Sequence, residues 1–96
     1  MKQKLIALAT QKGFDSEVYD ANDEAYPLIG LHYYLWLCEL QKHLRDEHNI
    51  YIIPPMKFGE SGFACQIVRT PKMKFFKTDE EALEAELFNA LKLIKG

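Results

Sequence analysis

Leu28-Ile29-Gly30-Leu31-His32-Tyr33-Tyr34-Leu35-Trp36-Leu37-Cys38-Glu39-Leu40-Gln41-Lys42-His43-Leu44 is a helix-like run whose apolar residues almost encircle the axis. At 100° per residue, Ile29, Tyr33, Trp36, Leu37, Leu40 and Leu44 fill one wide face, while Leu31, Tyr34, Leu35 and Cys38 fill a second. A helix that is apolar on two sides needs cover on two sides. In a chain of 96 residues that cover is either the rest of the domain or a partner. Between the two faces runs one narrow polar line, made of His32, Glu39 and His43.

The remainder of the composition is that of an ordinary globular chain, 48% hydrophobic and 27% charged, and predicts a single domain over residues 1–96. A domain of this size buries roughly 60–65% of its unfolded surface, so subunit association is a natural supplement to its stability. A net charge of −2 gives no global attraction to nucleic acid or an anionic membrane. The apolar stretch near the start, Leu5 to Ala9, is shorter than the core of a secretory signal. Glu39, Lys42 and the histidines interrupt the main run before it reaches a membrane span. The expectation is a cytoplasmic, unanchored chain. Cys38 and Cys65 lack metal-like spacing and read as small buried hydrophobes.

Working outward from the central run, residues 2–12 form a short amphipathic helix that Gly13 stops, with Phe14 making the apolar contact that follows such a stop. Residues 15–27 are a long acidic connection carrying Asp15, Glu17, Asp20, Asp23 and Glu24 with no base. The second helix is expected from Pro27 to about Asn49. Ile50 to Ile53 is a β-branched strand ended by Pro54-Pro55, and residues 63–69 alternate with Phe63, Cys65 and Ile67 on one face and Ala64, Gln66 and Val68 on the other. Thr70-Pro71 turns the chain into a third strand over residues 72–76. Thr78-Asp79-Glu80-Glu81 then opens a last helix as a capping box, with Leu83, Leu87, Ala90, Leu91 and Ile94 on one face. The predicted architecture is therefore α+β in the order α-α-β-β-β-α, a three-stranded antiparallel meander with helices packed on one face.

The stretches Tyr34 to Lys42, Leu44 to Ile50, Glu80 to Ala85 and Ala90 to Ile94 resemble a family of short uncharacterised proteins from gut-bacterial phages and mobile elements, over about half of the chain. The resembling pieces are apolar-periodic scaffold and bring no activity with them. What the resemblance implies is an intracellular or phage-borne accessory role rather than a metabolic one.

Three constellations are candidates for function. Glu39 and His43, spaced i and i+4, can share a metal ion, though His32 lies two helical turns from Glu39 and the same pattern serves as a solvated stripe. No cofactor is expected. Between Pro54 and Thr78, five bases face Glu60 alone and are interleaved with phenylalanines, so Arg69, Lys72, Lys74 and Phe76 are candidates for nucleic-acid contact. Lysines on an edge strand also guard against aggregation, and the phenylalanines also suit a core. A helix-strand-strand-strand-helix order resembles double-stranded RNA-binding domains, but the last helix opens with Asp79-Glu80-Glu81 where those domains present lysines, so that function does not transfer. The third constellation is the aromatic surplus of the central run. Tyr33, Tyr34, Trp36, Leu37 and Leu40 are the expected partner interface, in a homodimer or with another protein. Ser16 and Ser61 lack a nucleophile elbow, Gly59 and Gly62 form no phosphate loop, and an enzyme is not expected.

Overall fold

A computed structural model of the chain describes residues 2–16, 30–68 and 74–94. Within them the order is α1 (Lys2–Gln11), α2 (Gly30–His48), β1 (Ile52–Lys57), a 3-10 turn (Gly59–Ser61), β2 (Phe63–Ile67) and α3 (Asp79–Lys92).

The helix ends follow their capping chemistry. Gly13 takes φ +91°, its N–H donates to the Thr10 carbonyl and the Phe14 N–H to the Ala9 carbonyl, which together make a Schellman motif. The accompanying apolar contact joins Ala9 and Phe14, both buried. α2 stops where Asn49 adopts φ +56°, after which the Ile50 N–H donates to the Leu44 carbonyl. Its expected start near Pro27 lies outside the described residues. At α3 the Thr78 hydroxyl accepts from the Glu81 N–H at 3.1 Å, the acids of the first turn face the helix N-terminus, and Lys92 sits in the last turn.

The sheet departs from expectation in two ways. β1 continues through both prolines instead of stopping at them. Ile53 pairs with Gln66 and Met56 with Ala64, so Pro54 and Pro55 together oppose Cys65 in a bulge. Residues without an N–H are tolerated there because the ladder asks nothing of them, and the Cys65 thiol instead donates to the Ile53 carbonyl at 3.0 Å. The second departure is that among the described residues the sheet has two antiparallel strands, β1 and β2, and the order is α-α-β-β-α rather than a three-stranded meander. Of the expected third strand, residues 69–73 lie outside the described residues. Its last residue, Phe76, makes a single bridge to Phe63. Among the described residues that bridge stays isolated, and two residues after it the chain is already the N-cap of α3.

α3 is the element on which the others meet. It packs against α1, α2, β1 and β2. Its inward seam is Ala82, Leu83, Glu86, Leu87, Ala90 and Leu91, all buried. Leu5 and Ala9 of α1, Tyr33, Trp36, Leu37, Leu40 and Leu44 of α2, and Ile52, Cys65 and Ile67 of the sheet complete the same cluster. The alternation expected for β2 holds in part: Cys65 and Ile67 face this core and Gln66 and Val68 do not, but Ala64, expected on the outer face, is also buried.

Leu87 is fully buried at the middle of the seam, so Leu87→Ala should lower the unfolding free energy by about 2–5 kcal/mol in urea titration. At Gly62, φ is +107° and an added Cβ would stand 2.4 Å from the Phe76 carbonyl oxygen. Gly62→Ala should therefore break the Phe63–Phe76 bridge, seen as faster amide exchange at both residues, while the far end of the core stays protected.

Candidate functional site

The five residues expected at an interface divide sharply. Tyr33, Trp36, Leu37 and Leu40 are 4% exposed or less and belong to the chain's own core, where they cannot meet a partner. Tyr34 alone of the five is at the surface, with Leu31 and Leu35 beside it on the second apolar face of α2. The Tyr33 hydroxyl, at the border of the core, donates to a Glu84 carboxylate oxygen, and the Lys2 ammonium lies 4.9 Å over its ring. Burial and the neighbouring Glu84 together raise the Tyr33 pKa far above its ordinary range.

At Glu39 and His43 the polar line of α2 is not left to solvent as a stripe. The turn at Gly13 lays residues 14–16 across it: the Ser16 hydroxyl donates to Glu39 at 2.6 Å, and the Phe14 ring sits 5.1 Å from the His43 ring. Phe14 also meets Trp36 edge-on at 5.5 Å, and His48 meets His43 at 5.2 Å. Glu39 and His43 do line one cleft, of about 230 Å³, with Phe14, Asp15, Lys42, Asp46 and Glu47. Among the described residues no group of three His, Cys, Asp or Glu side chains is placed to hold a metal ion. His32 is exposed near the other end of the helix. His43 Nε2 is buried with no hydrogen-bond partner among the described residues. Burial, and after it the charge of His48, lowers the His43 pKa, with Glu47 acting in the opposite sense.

The expected nucleic-acid residues are also divided. Arg69 and Lys72 lie outside the described residues. Phe76 is half-buried against the core, and the Lys74 charge acts on Glu86, which lies on the core seam of α3. Lys74 and Phe76 therefore do not stand together as one open basic and aromatic face.

Glu86 belongs to the acid-rich first part of α3 yet is turned inward. It is 7% exposed, accepts a hydrogen bond from the Ile67 backbone and interacts with the Asn89 side chain. Desolvation outweighs these and raises its pKa. The signal was its place on the inward seam, three residues after Leu83 and four before Ala90. Cys65, across from it, is pushed up to about 12 by burial and by the Glu86 charge, which makes it a structural thiol rather than a nucleophile. Both cysteines are free.

A further exposed apolar surface is one that the sequence reading did not single out. Tyr51, Ile53, Met56 and Val68 are each 42–55% exposed, and Ile53 and Val68 lie on the sheet face turned away from α3. At the far end of the sheet the 3-10 turn and residues 75–77 border a second, open cleft of about 570 Å³. Among the described residues no helix is long and apolar enough to cross a membrane. The chain matches no protein-family model, and no curated protein or solved structure is significantly similar to it.

The His43 shift sets a pH dependence. A base whose pKa is depressed by folding contributes most above its unfolded value of about 6.5 and loses that contribution as pH falls through this value. Thermal melts from pH 7.5 to 5 should show a steeper loss for the wild-type chain than for His43→Gln. For Glu86 the sign is reversed, since its raised pKa makes the ionised form the costly one. Glu86→Gln keeps an acceptor for Ile67 and should hold or raise the melting temperature at pH 7, whereas Glu86→Ala should cost about 1–3 kcal/mol.

Proposed function

We propose that this chain acts by binding rather than by catalysis, and that its first partner is a second copy of itself, docked through the outer face of the two-stranded sheet. The observation that carries this reading is the cluster of Tyr51, Ile53, Met56 and Val68, four large apolar side chains exposed by about half. Contiguous apolar patches of that kind mark interaction surfaces.

The form of the contact follows from the sheet. Pairing along the free edge of β1 is opposed by Pro54 and Pro55, which offer no N–H to an added strand. On the other side of β2, Phe76 already occupies the first bridge position. Face-to-face packing remains, and a two-stranded sheet with one uncovered apolar face is a marginal unit that a second sheet completes. A two-fold axis lets one patch serve both subunits. Tyr51 and Met56 supply the aromatic and flexible apolar groups that interface centres favour. The phage-borne accessory role that the resemblance implies is consistent with a small dimeric binding protein and belongs to the same proposal.

Sedimentation at tens of micromolar should give a dimer. Ile53→Lys with Met56→Lys should shift it to monomer with an unchanged far-ultraviolet spectrum, because neither side chain enters the core cluster. A strictly monomeric wild-type chain at that concentration would remove the homodimer.

A further inference from the structure

The cleft at the end of the sheet is built from two walls that are fixed in place. One is the loop from Phe58 to Gly62, closed by the Phe58 N–H donating to the Gly62 carbonyl at 2.8 Å and the Ser61 N–H to the Phe58 carbonyl at 3.0 Å. The other is the segment at residues 75–77, joined to the first by the two backbone bonds between Phe63 and Phe76. Gly62 lets the walls approach, since no side chain fits between it and the Phe76 carbonyl. The cleft therefore exists before any ligand arrives, and its volume of about 570 Å³ lies within the ~300–1,000 Å³ of small-molecule sites.

Its lining has three chemical parts. Lys57 and Lys77 supply two cations, one from each wall. Phe75 supplies an aromatic ring that is nearly half exposed and is steadied by an edge-on contact with Phe58, centroids 5.8 Å apart at 78°. Glu60 and Ser61, on the 3-10 turn, add a carboxylate and a hydroxyl. A simple polyanion suits the lysines but is repelled by Glu60. A ligand that carries an anion at one end and a ring with an exocyclic amino group at the other suits all three. Cations on phosphate and an aromatic side chain under a base are the two elements by which proteins hold single nucleotides, and a carboxylate that accepts from an amino group selects among the bases.

We infer that this cleft binds a nucleotide unit, with the phosphate at Lys57 and Lys77, the base on Phe75, and Glu60 favouring amino-bearing bases such as cytosine over uracil. This site uses residues distinct from Arg69 and Lys72, and it does not depend on the dimer, because Ile53 and Met56 do not line it. A monomeric wild-type chain leaves it standing.

Calorimetric titration of the full chain at low salt with CMP, UMP, inorganic phosphate and a short deoxycytidine oligonucleotide tests it. CMP should bind about tenfold more tightly than UMP, and more tightly than phosphate. Phe75→Ala should weaken CMP binding by about tenfold. Lys57→Gln and Lys77→Gln should weaken CMP and UMP alike, while Glu60→Ala should abolish the difference between them. These side chains are exposed, so the variants keep the fold, which the far-ultraviolet spectrum checks. The oligonucleotide separates the sources of the ligand: a strand site binds it more tightly than CMP and with a steep salt dependence, and a free-nucleotide site binds the two alike. Failure of both CMP and oligonucleotide to bind, or phosphate binding as tightly as CMP, overturns the inference.

Discussion

The burial of the α3 seam is the constraint on which the other contacts depend. Ala82 and Ala90 are small enough to let neighbouring backbones come close, and Leu83, Leu87 and Leu91 fill the space between them. α1, α2 and both strands each pack on this seam. In a chain with so little interior, removing one of these leucines loosens several interfaces at once.

Polar contacts then fix the elements that the seam gathers. The Lys12 ammonium donates to the Ile94 carbonyl at 2.7 Å and joins the end of α1 to the end of α3. Tyr33 and Glu84 join α2 to α3, and the Gln41 side-chain amide donates to the Ile52 carbonyl at 3.1 Å, joining α2 to β1. Glu86 does the same between α3 and β2 from a buried position. These bonds are individually worth about 0.5–1.5 kcal/mol, more where a group is charged, and they act chiefly by selecting one register for a core that apolar packing alone would leave less defined.

The same arrangement decides what remains outside. With α3 on one face of the two strands described, the opposite face leaves Tyr51, Ile53, Met56 and Val68 about half exposed, and at the end of the sheet a cleft lies where the 58–62 loop meets Phe76. Both candidate binding surfaces are thus consequences of a small sheet. The rigidity of the cleft comes from Gly62 and the double backbone bond at Phe63 and Phe76.

The helices and the ends marked by caps were legible because their causes are local: the 3.6-residue period, Gly13 and Asn49 in left-handed conformation, and the Thr78 cap. The division of the Leu28–Leu44 run into two apolar faces and one polar line was legible for the same reason. Which face would be buried was not, since Trp36 and Leu40 on one side and Leu31 and Leu35 on the other are alike in hydrophobicity. Docking against α3 chose the first and left the second exposed. Phe14 then covered the polar line, which depended on where the turn at Gly13 sent the chain. β1 passed through its prolines because Cys65 stood opposite them, and Glu86 was buried because β2 lay across it. Sequence determined the helices and their faces, through forces that act within a few residues, while the extent and number of strands depended on the partners they met. Tertiary structure decided which faces meet, because that choice turns on contacts between segments far apart in the chain.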